Sequence, residues 1–108
     1  MNFRFNKKTD NLFKAILSLT TVKEAEIFFR DLCTIDEIKL MSERWEIAKM
    51  LNKGFSYRKI ASKLSVSTTT VSRVALWLNN GKGGYRLALD NINNTHHHNS
   101  TLNEKGSC

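Results

Sequence analysis

Residues 56–78 read SYRKIASKLSVSTTTVSRVALWL, and this stretch decides how the rest of the chain is interpreted. In each of two segments the apolar residues recur at helical spacing, and a serine that can cap a helix precedes each segment, at Ser56 and at Ser67. Only Ser65 and Val66 separate the two predicted helices, so the chain must turn sharply between them. The stretch therefore predicts a helix-turn-helix.

The apolar residues of this stretch stand where two crossing helices need them. Ala61 is small enough for the helix axes to approach each other, and Val66 fills the turn. Val71 and Val74 lie three residues apart and face back toward the first helix. The residues that the second helix then turns outward are Thr68, Thr69, Ser72 and Arg73. Short hydroxyl side chains can contact base edges in a DNA major groove, so we predict base contacts for the two threonines and the serine.

The positive charge of the chain is concentrated around the same stretch. Residues 49–86, called the basic segment below, contain eight basic and no acidic residues, whereas residues 1–48 contain eight of each. The net charge of +7 thus arises in the basic segment, which is typical of a surface that binds a polyanion. We predict phosphate contacts for the following residues: Lys53, Arg58, Lys59, Lys63, Ser67 and Arg73.

The composition excludes several classes of protein. With 108 residues, no proline and five glycines, the chain is expected to be one helical domain with tails, and neither collagen-like nor all-β. No apolar run approaches the roughly 20 residues of a membrane span, so no membrane partner is expected. Two distant cysteines favour a reducing cytoplasm over a disulfide scaffold. The histidines at 96–98 have no companion cysteine or carboxylate at ligand spacing, so no metal site is expected.

The sequence before residue 56 predicts three further helices. Thr21 followed by Glu24, and Thr34 followed by Glu37, have the form of capping boxes that begin the second and third of these helices. Gly54 ends the third helix, because glycine adopts a left-handed cap without a steric penalty. We therefore predict an all-α fold with about five to six helices per subunit.

Apolar residues cover more than half the circumference of the third helix, over residues 35–51. One partner surface cannot bury all of them, and so small a chain gains stability by pairing with a second copy. We therefore expect residues 10–53 to form a helical dimerisation core and residues 54–89 a helix-turn-helix head. Residues 1–9 are expected to be a flexible arm, and residues 90–108 a disordered tail.

Four segments together resemble the tryptophan-repressor superfamily and, within it, the YerC/YecD branch. They are Thr34-Ile-Asp-Glu, the third helix around Arg44, Gly54-Phe-Ser-Tyr, and Ser67-Thr-Thr-Thr-Val-Ser-Arg-Val. The likeness extends over residues 10–89. It implies an intertwined homodimer from which two helix-turn-helix heads project. It also implies a sequence-specific transcriptional repressor that binds a palindromic operator in double-stranded DNA, with one recognition helix (Ser67–Leu78) in each major groove.

The resemblance raises the question of a tryptophan corepressor. Arg44 and Arg73 correspond to the two arginines that flank the indole ring in the tryptophan repressor. Val74, however, replaces a glycine that leaves room for the ring, and Trp77 replaces a small polar residue that helps to hold the amino group. Both changes put bulk where the ligand would lie. We therefore expect neither tryptophan nor another cofactor, and prefer phosphate contact or a dimer salt bridge for the arginine pair.

Two other functions use a similar pair of helices. One is the DNA-binding head of a transposase or recombinase, although residues 47–89 contain no carboxylate for metal-dependent strand transfer. The other is a helical adaptor that binds protein, for which an acid-free face would be unusual. The sequence therefore favours a regulator without catalytic activity.

Overall fold

The computed structural model describes residues 3–105, with side chains described for residues 3–94. Within this range the chain forms six α-helices and no β-strand, which confirms the all-α class. The helices are α1 (Lys7–Leu17), α2 (Val22–Leu32), α3 (Ile35–Asn52), α4 (Tyr57–Leu64), α5 (Thr68–Asn80) and α6 (Gly84–Lys105). None of the described helices has the length and apolarity that a membrane span requires.

Helix α1 begins earlier than the sequence predicts. The Asn6 side chain accepts a hydrogen bond from the Thr9 backbone N–H at 3.1 Å, and the Thr9 hydroxyl accepts one from the Asn6 backbone N–H at 2.8 Å. This reciprocal cap satisfies two amides that a helix start leaves unpaired, so the helix begins at Lys7. The expected flexible arm over residues 1–9 is therefore corrected, because its last three residues are helical.

The caps of α2 and α3 are those that the sequence predicts, with one change of partner. Thr21 accepts from the Glu24 N–H at 3.0 Å, but the Glu24 carboxylate accepts from the N–H of Thr20, at 2.8 Å. Thr34 and Glu37 form the complete predicted box, with distances of 3.1 and 2.8 Å. These threonines set the first residues of both helices.

The turn between α4 and α5 is as short as predicted and contains a strained residue. Ser65 has φ +58° and ψ +45°, in the left-handed region, where a side chain other than glycine costs about 1–2 kcal/mol. This conformation lets the Val66 N–H bond the Ala61 carbonyl oxygen at 3.0 Å. Ser67 then caps α5 by accepting from the Thr70 N–H at 3.0 Å.

The C-terminal residues do not form the expected disordered tail. Helix α6 continues through Lys105, and residues 106–108 lie outside the described range. It begins beside the core, where Tyr85 packs, and Leu89 is buried. No glycine or proline interrupts residues 85–105, and extending an established helix needs far less than starting one. The structure thus has helix in residues 90–105, where the sequence predicted disorder.

The chain divides into two compact units, the N-terminal unit (Met1–Leu40) and the C-terminal unit (Met41–Cys108). This division falls inside α3 and differs from the expected boundary at residues 53 and 54. The reason is that the second half of α3 supplies core residues to the C-terminal unit. Its buried cluster consists of Ile47, Ala48, Met50, Ile60, Val71 and Val74. The helix-turn-helix is thus built on α3.

Candidate nucleic-acid interface

Helix α5 buries one side and exposes the other. Val71, Val74 and Ala75 are 0%, 1% and 3% exposed, because they pack into the core of the C-terminal unit. The residues predicted to face outward are all exposed, namely Thr68, Thr69, Ser72 and Arg73. The spacing of the two valines therefore gave the correct orientation of this helix.

The four outward residues line one open cleft of about 500 Å³. This readout cleft is formed by Tyr57, Thr68, Thr69, Ser72, Arg73 and Leu76. Tyr57 belongs to α4 and is 44% exposed, and Leu76 is 56% exposed. Sequence reasoning missed both residues. Leu76 follows Ser72 by four positions, so helical spacing could have identified it, whereas Tyr57 joins the cleft only through the packing of α4 beside α5.

Most cations of the basic segment are free to meet an anion. Lys49 pairs with Glu46 at 3.0 Å, and Arg86 donates to the Asn52 side chain at 2.5 Å. The other six form no ion pair within residues 3–94: Lys53, Arg58, Lys59, Lys63, Arg73 and Lys82. All six are exposed. Because no described acidic side chain neutralises these six cations, the basic segment keeps a positive potential that attracts polyanions.

Ser67 is placed differently from the other predicted phosphate contacts. Its hydroxyl accepts from the Thr70 N–H at 3.0 Å and lies 2.9 Å from the Thr70 hydroxyl. The structure therefore shows it as the cap of α5, with a phosphate contact possible only through its remaining hydrogen-bonding capacity. The first turn of α5 carries no acidic residue, so the positive end of the helix dipole is not neutralised there.

A second cleft, of about 460 Å³, lies at the junction of α3, α5 and α6. This aromatic cleft is lined by Trp45, Trp77, Gly81, Lys82, Gly84, Tyr85 and Ala88. Trp45 is half-buried and packs against the core, whereas Trp77 is 45% exposed and forms a wall of the cleft. The sequence did not indicate this cleft.

The two arginines considered for an effector are not brought together in either cleft. Arg73 lines the readout cleft, whereas the half-buried Arg44 lines neither. Val74, at the position where the resemblance places a glycine, is 1% exposed and belongs to the core. The described part of the chain contains no group of three His, Cys, Asp or Glu residues able to hold a metal ion. The side chains of residues 96–98 lie outside it.

The comparisons with known proteins agree on one family. Residues 7–93 match the family model described as Trp repressor protein. The chain is 46% identical over 89 residues to the uncharacterized protein YerC of Bacillus subtilis (strain 168), covering 82% of this chain and 86% of that one.

Two solved structures are similar to most of the chain. The crystal structure of a TrpR-like protein from Eubacterium eligens superposes with a TM-score of 0.78 at 44% identity, over 82% of this chain and 91% of that chain. A candidate Trp repressor from Staphylococcus aureus gives a TM-score of 0.78 at 40% identity, over 82% and 89%. The helical fold is therefore shared with both over the matched residues.

Proposed function

The chain belongs to the Trp repressor family, and on that premise we propose that it is a sequence-specific transcriptional regulator that binds DNA as a dimer. Proteins of this family are regulatory DNA-binding proteins and not enzymes. The observation that carries the proposal is the exposed face of α5, on which Thr68, Thr69 and Ser72 stand within a segment that has no acidic residue.

In the proposed complex, α5 enters the major groove and the surrounding cations contact the backbone. Thr68, Thr69 and Ser72 contact base edges, since they are short, exposed and lie on one side of α5. The proposed phosphate contacts are Lys53, Arg58, Lys59, Lys63, Ser67 and Arg73. This division assigns sequence preference to α5 and general affinity to the cations.

We propose a second copy of the chain because the N-terminal unit leaves its apolar side chains exposed. No described residue of 3–40 is buried, although α1 and α2 each have an apolar side. Eight large apolar side chains between residues 13 and 41 are exposed: Phe13, Leu17, Val22, Ile27, Leu32, Ile35, Leu40 and Met41. Exposed apolar area on this scale favours association. A symmetric dimer carries two α5 helices and so favours a palindromic operator, at which binding blocks transcription.

Tryptophan is not proposed as the effector. Val74 belongs to the buried core, so its side chain fills the position where the resemblance places a glycine. Arg44 and Arg73 are proposed to act without an indole between them, by phosphate contact or a salt bridge in the dimer. Calorimetric titration of the chain with tryptophan is expected to give no saturable heat, and saturation at one ligand per subunit would contradict this assignment.

Selection from random DNA followed by a salt titration tests the proposed function. The five proposed cationic contacts of each chain give about ten per dimer, for which the slope of log K against log[salt] is near −9. The selected duplex should also bind at least about a thousandfold more tightly than random DNA. A flat salt response without a selected sequence would contradict the proposal and favour an adaptor that binds protein.

A further inference from the structure

We infer that the readout cleft selects DNA sites through the C5-methyl groups of thymine, with Tyr57 and Thr69 as specificity-determining residues. The inference rests on the proposed function and names the base feature that this surface takes. It starts from the cleft, which unites side chains of α4 and α5 on a single surface.

The side chains in the cleft match some base edges and not others. Adenine is read in the major groove by Asn or Gln, and cytosine by Asp or Glu, and the lining contains none of these four residue types. Arg73 can pair with guanine. Serine and threonine hydroxyls bond to more than one kind of base edge and so do not identify a base by themselves. The thymine methyl is the feature of this groove that takes an apolar contact.

The cleft supplies apolar contacts from four side chains. The Tyr57 ring and Leu76 are about half exposed, and Thr68 and Thr69 each add a γ-methyl group. Exposure of this apolar surface to water is unfavourable, and burying it against a methyl group lowers the free energy of the complex. Ser72 and Arg73 line the same cleft and can bond to neighbouring base edges. The cleft thus combines apolar and hydrogen-bonding side chains. A thymine methyl group, which lies among polar base edges in the major groove, is complementary to such a surface.

Deoxyuridine tests the inference directly because it keeps every hydrogen bond of thymine and lacks only the methyl group. The probe is the tightest duplex recovered from a random library, with thymines replaced by deoxyuridine one at a time. We expect at least one position in each half-site to lose about fourfold in affinity, the value of one buried methyl group, while the remaining positions change little.

Matched variants then assign the contact. Thr69→Ser removes a methyl group and keeps the hydroxyl, whereas Thr69→Val keeps methyl groups and removes the hydroxyl. Tyr57→Ala removes the ring, and Tyr57→Phe keeps it. Thr69→Ser or Tyr57→Ala should bring the thymine-to-deoxyuridine affinity ratio at the sensitive position close to one, and Thr69→Val and Tyr57→Phe should retain it. Both residues are exposed, and circular dichroism verifies that each variant is folded.

The outcomes separate this inference from the proposed function. A selected site that binds equally well with thymine or deoxyuridine at every position overturns the methyl reading and leaves sequence-specific binding intact. A ratio that stays near four in both Thr69→Ser and Tyr57→Ala overturns the assignment to these residues. Failure to recover any preferred sequence overturns the proposed function itself.

Discussion

The two compact units form equally regular helices but differ in what stabilises them. Helices α1 and α2 are well capped, yet none of their residues is buried in the single chain. The C-terminal unit contains all nine buried apolar residues found among residues 3–94, and it also contains the basic segment. Local capping therefore specifies where a helix begins, whereas a core of its own decides whether a unit is stable alone. The N-terminal unit is therefore the part of the chain that we propose a second copy covers.

The largest effect expected from this contrast comes from the core of the C-terminal unit. Ile60 is fully buried, so Ile60→Ala should lower the free energy of unfolding by about 2–5 kcal/mol. Ile27 is 55% exposed, and Ile27→Ala should cost about 0.5 kcal/mol or less at a dilution where the chain is monomeric. Urea unfolding measures both, and equal losses at that dilution would break the contrast.

The next effect concerns the cover of the N-terminal unit. Leu17 is 82% exposed, so Leu17→Lys should leave the single chain folded but put a charge into the proposed dimer interface. We expect the dissociation constant of the dimer to rise about tenfold or more, measured by sedimentation equilibrium. Asn11→Lys adds the same charge to another exposed position of α1 and should have little effect. Equal dimerisation of wild type and Leu17→Lys would place the interface elsewhere.

A smaller effect distinguishes the two units by charge. Lys59→Ala in the basic segment should weaken binding to specific and random DNA alike and reduce the salt slope by about two per dimer. Lys23 in α2 is exposed but lies outside that segment, and Lys23→Ala should leave the slope unchanged. Fluorescence anisotropy at several salt concentrations gives both slopes. The same reduction in both variants would mean that DNA binding is not localised to the C-terminal unit.

The smallest expected effect concerns backbone strain within the helix-turn-helix. Ser65→Gly relieves the left-handed backbone, and after the greater entropy of glycine in the unfolded chain it should stabilise the protein by about 0.5–1 kcal/mol. Ser62→Gly, in the right-handed interior of α4, should instead destabilise by about 0.5 kcal/mol. Thermal unfolding of the pair reports opposite signs. A loss of stability in Ser65→Gly would show that strain is absent there.

The sequence predicted best what depends on neighbours along the chain. Thr21, Thr34, Ser56 and Ser67 each cap the helix that was expected after them, because a cap and its amide lie within three residues. The inward valines of α5 were also correct, because helical spacing fixes their direction.

The sequence predicted least where residues distant along the chain meet or where polarity hides a helix. Tyr57 joins the readout cleft, and Trp77 the aromatic cleft, only through packing between helices. The start of α1 was not predicted, because it is set by the polar cap at Asn6 and lies within the segment expected to be a flexible arm. The helical residues after Asp90 were missed because they follow from extension of an existing helix.

The stoichiometry of the complex with DNA depends on both proposed features, the pairing of two N-terminal units and the entry of two α5 helices into the major groove. Sedimentation equilibrium of the full chain with the selected palindromic duplex should give two chains per duplex. One chain on a single half-site, or no complex at all at moderate salt, would contradict the account.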